Sequence, residues 1–306
     1  MFKKEENRLR KLSLLMLVTF LFAFPQLSFA DAAEGDVIIT LGEDLSDEQK
    51  QALLDEMKAP ENAQTITVSN EEEHKYLGKY VPKAQIGTRA LSSSTITIEK
   101  SGSGLEVETN KITWVTDEMY LNALMTAGVK DATVYVTAPS EVSGTAALTG
   151  LIKAYELSSD EAIPEDVKQV ANEELVKTAE LGEEIGQEDA SALMAKIKEE
   201  VAKNGVPENE EDLRTMIENA ANDLGITLTE EQMNSLIELF NKMKNIDIDW
   251  NQVGDQLDKA RDQISKYLDS EEGQNFLQQV KEFFIALWNA VVSFFSNSGN
   301  ETAEGL

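Results

Sequence analysis

The chain has 306 residues, of which 56 are acidic and 27 are basic, so its formal net charge at pH 7 is −29. A charge of this size repels nucleic acids and anionic lipids, and we therefore expect no nucleic acid among the partners. The sequence contains no cysteine, which excludes disulfides, thiol catalysis and a lipid-modified cysteine, so hydrophobic cores must hold the fold together.

Residues 1–30 have the pattern of a cleaved secretory signal. Five basic side chains precede an apolar stretch, Leu12 to Phe24, that is too short to span a bilayer comfortably. Small residues at Ser28 and Ala30 then form a signal-peptidase site, which predicts cleavage between Ala30 and Asp31. An uncleaved membrane anchor is the alternative, and the short apolar stretch disfavours it. We therefore expect a secreted or extracytoplasmic protein associated with the cell envelope.

From residue 36 to residue 157, strand and helix patterns alternate along the chain. Runs of β-branched or alternating apolar residues predict strands at 36–41, 64–69 and 131–138, and two more strands, 94–100 and 104–112, are predicted to form a hairpin. Helices are predicted to begin at the capping boxes Ser46–Gln49 and Asn70–Glu73, at Thr116 and near Gly144. This alternation predicts an α/β sandwich-like domain with a mixed sheet over residues 36–157.

Beyond residue 157 the strand patterns stop and helical patterns follow one another. Helices are predicted at 164–180, 187–203, 208–223, 229–245, 250–268 and 272–296, with glycine- or proline-containing breaks between several of them. The many glutamates and aspartates are interpreted mostly as solvated helix surface. The sequence therefore predicts an α/β domain followed by an all-helical acidic domain at 158–296, and a disordered tail at 297–306.

Three stretches of the sequence resemble one known family. They are "EHKYLGKYVPKAQIGTRALSSSTI", "TDEMYLNALMTAGVKDATVYVTAPSEVSGTAALTGLIKAYE" and "DIDWNQVGDQLDKARDQI". The chain resembles the YpuA-like family of exported proteins from Gram-positive bacteria, which is classed as a domain of unknown function. The resemblance implies an exported, cell-envelope context and supplies no catalytic residue.

Small and hydroxyl residues are concentrated where the strand at 131–138 gives way to the next helix. The candidate ligand-binding residues here are Ser140, Ser143, Gly144 and Thr145. A helix N-terminus that follows a strand can hold an anion, because its free N–H groups and the helix dipole point towards it. No phosphate-loop or dinucleotide-binding glycine pattern accompanies these residues, however, and close packing of the helix on the sheet is the favoured interpretation.

One stretch, "DIDWNQVGDQLD", approaches the pattern of a calcium-binding loop. Its candidate ligands stand at positions one, three, five and twelve: Asp247, Asp249, Asn251 and Asp258. The sixth position lacks the glycine that the turn of such a loop needs, and the twelfth is not glutamate. The favoured interpretation is that Asp249 caps a helix that begins at Trp250, so calcium is not expected.

The predicted C-terminal helix is the most apolar stretch after the signal. Its candidate contact residues for a membrane or a partner are Phe283, Phe284, Leu287, Trp288, Phe294 and Phe295. Leaving eight large apolar side chains of this helix in water would cost on the order of 12–24 kcal/mol, so some surface must cover them. Packing within the protein is favoured, and contact with a membrane interface or with an envelope protein partner are the alternatives. The membrane alternative is disfavoured because the helix lacks the basic face of interfacial helices.

These observations give no catalytic residue and no cofactor. The leading hypothesis is an exported, non-enzymatic cell-envelope protein that binds or scaffolds. One alternative is a hydrolase acting on wall material through two carboxylates that the sequence cannot pair. The other alternative is an acidic protein that binds divalent cations.

Overall fold

The computed structural model describes residues 34–80, 86–159 and 162–268, and for 262–268 it describes the backbone only. The predicted signal, with its cleavage site at Ala30 and Asp31, lies outside the described residues. The disordered tail predicted at 297–306 lies outside them as well. So do the predicted C-terminal helix and all of its candidate contact residues: Phe283, Phe284, Leu287, Trp288, Phe294 and Phe295.

In the part of the chain that the structure describes, five strands form one mixed sheet in the order β2-β1-β3-β5-β4. The outer pairs β1–β2 and β4–β5 are parallel, whereas β3 runs antiparallel to both β1 and β5. The mixed sheet was predicted and is confirmed. The strands are β1 Val37–Gly42, β2 Gln64–Val68, β3 Ser93–Ile98, β4 Leu105–Thr109 and β5 Ala132–Thr137.

The predicted hairpin between β3 and β4 is wrong, because β5 lies between these two strands. Ile96 of β3 and Val107 of β4 both pair with Val134 of β5. Buried residues alternate along β5, whereas β4 exposes every second residue, which suits β5 to the inner position and β4 to the edge. The turn after β3 is held by Asp131, whose carboxylate accepts a hydrogen bond from the backbone N–H of Gly104 at 2.9 Å.

The helices follow the predicted pattern closely in the described part of the chain. Ser46 and Thr116 are N-caps as predicted, but the second capping box is formed by Ser69 and Glu72, one residue before the predicted pair. The helices are α1 Asp47–Glu56, α2 Asn70–Leu77, α3 Asp117–Thr126, α4 Thr145–Ser159, α5 Glu165–Ile185, α6 Gln187–Asn204, α7 Glu210–Asp223, α8 Glu230–Lys244 and α9 Trp250–Leu268.

Two large hydrophobic cores meet along α5. The first core packs α3 and α4 against the sheet and includes Val167 and Ala171 of α5. The second core joins α6, α7, α8 and the start of α9, and it includes Val170 and Leu181 of α5. Because α5 contributes residues to both cores, it is buried on opposite faces, and its polar residues are brought close to the interior.

The fold class is therefore confirmed as a mixed α/β half followed by a helical half. The described residues belong to one compact unit, and packing continues across the predicted boundary at residue 157, so the division into two domains stays a prediction. Within the described residues, no helix has the length and apolar character that crossing a membrane would require.

Candidate ligand-binding cleft

The small-residue turn before α4 is a packing site around Gly144. This glycine has a φ of 96°, in the region that favours glycine, and it is buried. A Cβ at this position would lie 2.4 Å from a side-chain carbon of Ile112 and 2.6 Å from the Tyr120 hydroxyl. The Tyr120 hydroxyl also donates a hydrogen bond to the Gly144 carbonyl. The glycine thus permits a close approach of α3 to the start of α4.

The hydroxyls of this turn have internal partners. Thr145 Oγ1 donates to Glu73 Oε1 at 2.6 Å, and the Ser143 hydroxyl lies 3.3 Å from Thr145 Oγ1. Glu73 is buried, and burial raises its pKa although the hydrogen bond from Thr145 opposes the change. Ser140 is exposed and lies apart from this chain of hydrogen bonds. The structure therefore brings Ser143, Gly144 and Thr145 together beside Glu73, which the sequence predicted only as a capping-box residue.

The candidate calcium ligands are arranged as a helix start. Asp249 accepts a hydrogen bond from the backbone N–H of Gln252 at 3.0 Å, which is the geometry of an N-cap. Asp258 pairs with Arg261 at 2.9 Å, while Asp247 and Asn251 are exposed. Among the described residues, no three acidic or histidine side chains converge so that they could hold a metal ion.

A cleft of about 520 Å³ lies between α5 and α8, beside the end of α2. We call it the α5–α8 cleft. One wall comes from α5 and the other from α8, and Tyr80 lines it from the segment after α2. Besides Tyr80, the polar residues that line it are Asp166, Gln169, Glu173, Glu238, Asn241, Lys242 and Asn245.

Glu173 has the unusual environment in this cleft. Its side chain is 0% exposed, and Oε1 accepts a hydrogen bond from Lys242 Nζ at 2.7 Å. The other oxygen, Oε2, is equally buried and has no hydrogen bond of ordinary geometry from the residues that the structure describes. The Tyr80 hydroxyl adds a side-chain hydrogen bond to the Glu173 carboxylate. Glu173 is therefore a fully buried carboxylate behind the wall of the cleft, held by Lys242, Lys177 and Tyr80.

Lys242 is the cation of the cleft and contacts three of its groups. Besides Glu173, Nζ bonds Glu238 Oε1 at 2.9 Å and lies 5.4 Å from the centre of the Tyr80 ring. Burial alone would lower the pKa of Lys242, but the two carboxylates outweigh it and hold that pKa above its ordinary value. The hydrogen bond from Lys242 lowers the pKa of Glu238, and the positive charge of Lys177 lowers it further.

Two further groups complete the electrostatics of the site. Lys177 Nζ lies 3.6 Å from Glu173 Oε1 and 3.4 Å from Glu238 Oε2, so acidic and basic groups alternate around the carboxylate. Burial, and next the negative charge of Glu173, raise the pKa of Tyr80, which keeps its hydroxyl neutral. The cleft can therefore both accept and donate hydrogen bonds, and its Lys242 ammonium stays charged near neutral pH because the pKa of Lys242 is raised.

Sequence reasoning missed the cleft because its residues form no motif. Tyr80, Glu173 and Lys242 come from three separate segments, and only the packing of α5 on α8 brings them together. One signal was available in "VANEELVK", where Glu173 and Glu174 stand between apolar residues on a helix whose period predicts burial. Two glutamates at buried positions indicate that partners or a ligand must be present.

Comparison with known proteins adds the following. Residues 41–260, which include all residues of the α5–α8 cleft, match the family described as "Protein of unknown function (DUF1002)". The chain is also 66% identical over 284 residues to "Uncharacterized protein YpuA" of Bacillus subtilis (strain 168), an alignment that covers 93% of this chain and 98% of the relative. No solved structure matches the chain significantly.

Proposed function

The chain belongs to the DUF1002 family of proteins of unknown function, and from this premise we propose that it is a non-enzymatic binding protein whose ligand occupies the α5–α8 cleft. The observation that carries the proposal is the cleft itself, where Glu238 and Lys242 meet beside Tyr80. The side chains of Lys242 and Glu238 are 38% and 59% exposed, so a ligand in the cleft can form hydrogen bonds and ion pairs with both. The cleft has a volume of about 520 Å³ and is open to solvent, so a ligand bound there would stay partly exposed.

The two carboxylates of the cleft suit binding better than hydrolysis. A hydrolase of the two-carboxylate type needs one carboxyl that stays protonated near neutral pH, so that it can protonate the leaving group. Here Glu173 and Glu238 both contact the Lys242 ammonium, and the pKa of Glu238 is lowered. The Lys242 ammonium thus stabilises the ionised form of Glu238, which favours electrostatic recognition over proton transfer.

We propose that this binding takes place outside the cytoplasm. Residues 1–30 have the pattern of a secretory signal, and the apolar segment 272–296 is proposed to contact an envelope protein or the membrane interface. Cell fractionation of the full chain and of a variant lacking 272–306 tests both points. We expect both proteins to begin at Asp31 and to lie outside the cytoplasm, with only the full chain retained in the envelope. Retention of the shortened protein would exclude the proposed contact, and a cytoplasmic full chain would exclude export.

Binding in the cleft is tested by amide NMR of the full chain with three small probes of different charge: putrescine, glucose and succinate. We expect at least one of them to shift signals from α5 and α8 of the native protein and not from those of Glu173→Gln. The matched control is Glu218→Gln, which removes an exposed carboxylate of α7, outside the cleft. If no probe shifts these signals in the native protein, the cleft is not a site for small polar ligands.

A further inference from the structure

Four charged side chains of α5 and α8 form a closed ring at the α5–α8 cleft, which we call the charge ring. Lys242 Nζ lies 2.7 Å from Glu173 Oε1 and 2.9 Å from Glu238 Oε1. Lys177 Nζ lies 3.6 Å from Glu173 Oε1 and 3.4 Å from Glu238 Oε2, which closes the ring. Each carboxyl group thus faces two ammonium groups, and each ammonium group faces two carboxyl groups. A charged ligand would have to replace a partner that is already in place.

The charge ring has a buried half and an exposed half. The Glu173 side chain is 0% exposed and that of Lys177 is 12% exposed, and Ser235 Oγ accepts a further hydrogen bond from Lys177 at 3.1 Å. Lys242 and Glu238 form the exposed half. A ligand in the cleft therefore meets Lys242 and Glu238, whereas Glu173 and Lys177 hold these two side chains from the interior.

The exposed half keeps both a donor and an acceptor for a ligand. The Lys242 ammonium has three hydrogens, and two of them go to Glu173 and Glu238 among the described residues. The Glu238 carboxylate has about four lone-pair sites, of which Lys242 and Lys177 use two. The cleft thus presents a donor and an acceptor 2.9 Å apart. Two neighbouring hydroxyls match this pair, because each hydroxyl can donate or accept.

The other residues of the cleft suit a neutral ligand with several hydroxyls. Gln169, Asn241 and Asn245 carry amides, which donate and accept hydrogen bonds without a charge. Tyr80 and Ile246 add apolar surface for a carbon ring. An anion would also be repelled by the chain, whose net charge is −29. A sugar combines neighbouring hydroxyls with an uncharged carbon ring, and it leaves every contact of the charge ring in place.

We propose that the α5–α8 cleft recognises two neighbouring hydroxyls of a neutral sugar, one of which donates to Glu238 while the other accepts from Lys242. Glu173 and Lys177 are positioning residues, which fix these two groups and do not touch the ligand. This inference rests on the proposed function and adds the class of ligand. A free monosaccharide and a sugar polymer carry the same hydroxyls, and the experiment separates these sources.

The test compares neutral and charged probes by amide NMR of α5 and α8 in the full-length protein. Glucose, galactose and mannose represent free sugars, and maltotriose represents a polymer. Tetrahydropyran-2-methanol has a similar ring with a single hydroxyl, whereas putrescine and succinate are charged. We expect saturable shifts with at least one sugar, unchanged as the salt concentration rises, and much weaker shifts with the last three probes. Tighter binding of maltotriose than of any monosaccharide would identify a polymer as the source, and the reverse would identify a free sugar.

Variants of the two halves of the charge ring separate contact from positioning. Lys242→Met should weaken sugar binding by about tenfold or more, because a charged donor is lost. The matched control is Lys130→Met in an exposed turn outside the cleft, which should leave binding unchanged. Lys177→Met should also weaken binding, and it should raise the pKa of Glu238, because the charge of Lys177 lowers that pKa in the native protein. Carboxyl NMR titration measures this pKa, and Lys177→Arg should restore both properties. The partly exposed Lys242 keeps the test decisive if Lys177→Met does not fold.

Three outcomes would overturn the inference and leave the proposed function standing. Shifts with putrescine or succinate and with no sugar would exclude hydroxyls as the recognised groups. Binding of a sugar that is matched by tetrahydropyran-2-methanol, or that is unchanged in Lys242→Met, would show that the hydroxyl pair is not read by Lys242. Sugar binding that is unchanged in Lys177→Met would exclude positioning by the buried half. Shifts with none of the probes would overturn the inference and the proposed function together.

Discussion

Two consecutive glutamates of α5 show how differently the two sides of this helix are used. Glu173 and Glu174 are both 0% exposed. Glu174 faces α3 and α6, where its Oε1 lies 3.0 Å from Lys198 Nζ and its Oε2 accepts a hydrogen bond from the Thr126 hydroxyl. Glu173 faces α8, where only its Oε1 has a hydrogen bond of ordinary geometry from the described residues.

The cluster around Glu174 is closed to further partners. Lys198 Nζ also donates to the Asn122 carbonyl at 2.6 Å and to Thr126 Oγ1 at 2.8 Å, so its three hydrogens all have acceptors. Burial lowers the pKa of Lys198, and the charge of Glu174 opposes that change. Burial of a charge is thus no sign of a site by itself. What separates the cleft from this cluster is exposure: the side chains of Lys242 and Glu238 are 38% and 59% exposed, whereas those of Lys198 and Glu174 are both 0% exposed.

The largest expected effect on the free energy of unfolding comes from removing the charge of Glu174. Glu174→Gln leaves the Lys198 ammonium buried without a counter-charge, and we expect a loss of about 3–5 kcal/mol in the free energy of unfolding. The double variant Glu174→Leu with Lys198→Met removes both charges and should regain most of this loss, since apolar groups of similar size replace the pair. Urea unfolding followed by circular dichroism measures both. A loss below about 1 kcal/mol in the single variant would show that the pair contributes little.

A third carboxylate separates the effect of hydrogen bonding from the effect of burial. Glu56, at the end of α1, is 26% exposed, yet it has four donors. They are Asn110, Lys111, Tyr135 and Thr137. Burial alone would raise its pKa, but the hydrogen bonds, above all from Lys111 and Thr137, lower it from the ordinary 4.5 to about 2. The folded state therefore favours ionised Glu56, which stabilises the protein above pH 4.5 and loses this contribution as the pH falls towards 2.

For this carboxylate we expect an intermediate effect that depends on pH. Glu56→Gln should lower the free energy of unfolding by about 1–2 kcal/mol at neutral pH, a value reduced by solvent screening at this partly exposed position. The difference between the native protein and the variant should shrink as the pH falls from 4.5 towards 2, because the native carboxylate becomes protonated. Urea unfolding at a series of pH values measures this. A difference that grows with acidity would contradict the assignment.

The sequence predicts the local elements well and the long-range pairings poorly, for a physical reason. Caps such as Ser46 and Thr116 and the alternation along β5 are determined within a few residues of the chain. The position of β5 between β3 and β4 depends instead on pairing between segments far apart in the chain, such as Ile96 with Val134, and the turn at 101–104 carries no information about that pairing. The hairpin prediction failed for this reason.

The same distinction explains what the sequence showed of the candidate sites. The close packing at Gly144 was predicted from its small neighbours, and the structure gives it a φ of 96° and a tight contact with Ile112. Glu173 and Lys242 are 69 residues apart, and their pairing depends on which faces of α5 and α8 meet. The interpretation of acidic residues as solvated surface does not hold for Glu173 and Glu174, because α5 is packed on two sides.

The smallest expected effect is the one on which the comparison depends most. Glu173→Gln is the same chemical change as Glu174→Gln, one residue earlier on the same helix. We expect it to alter the free energy of unfolding by less than about 1 kcal/mol, because Lys242 keeps its contact with Glu238 and a buried charge is removed. Urea unfolding of the two variants under identical conditions measures the contrast. A loss as large as that of Glu174→Gln would mean that the contacts of Glu173 stabilise the fold as strongly as those of Glu174, and the contrast between the two sides of α5 would then fail.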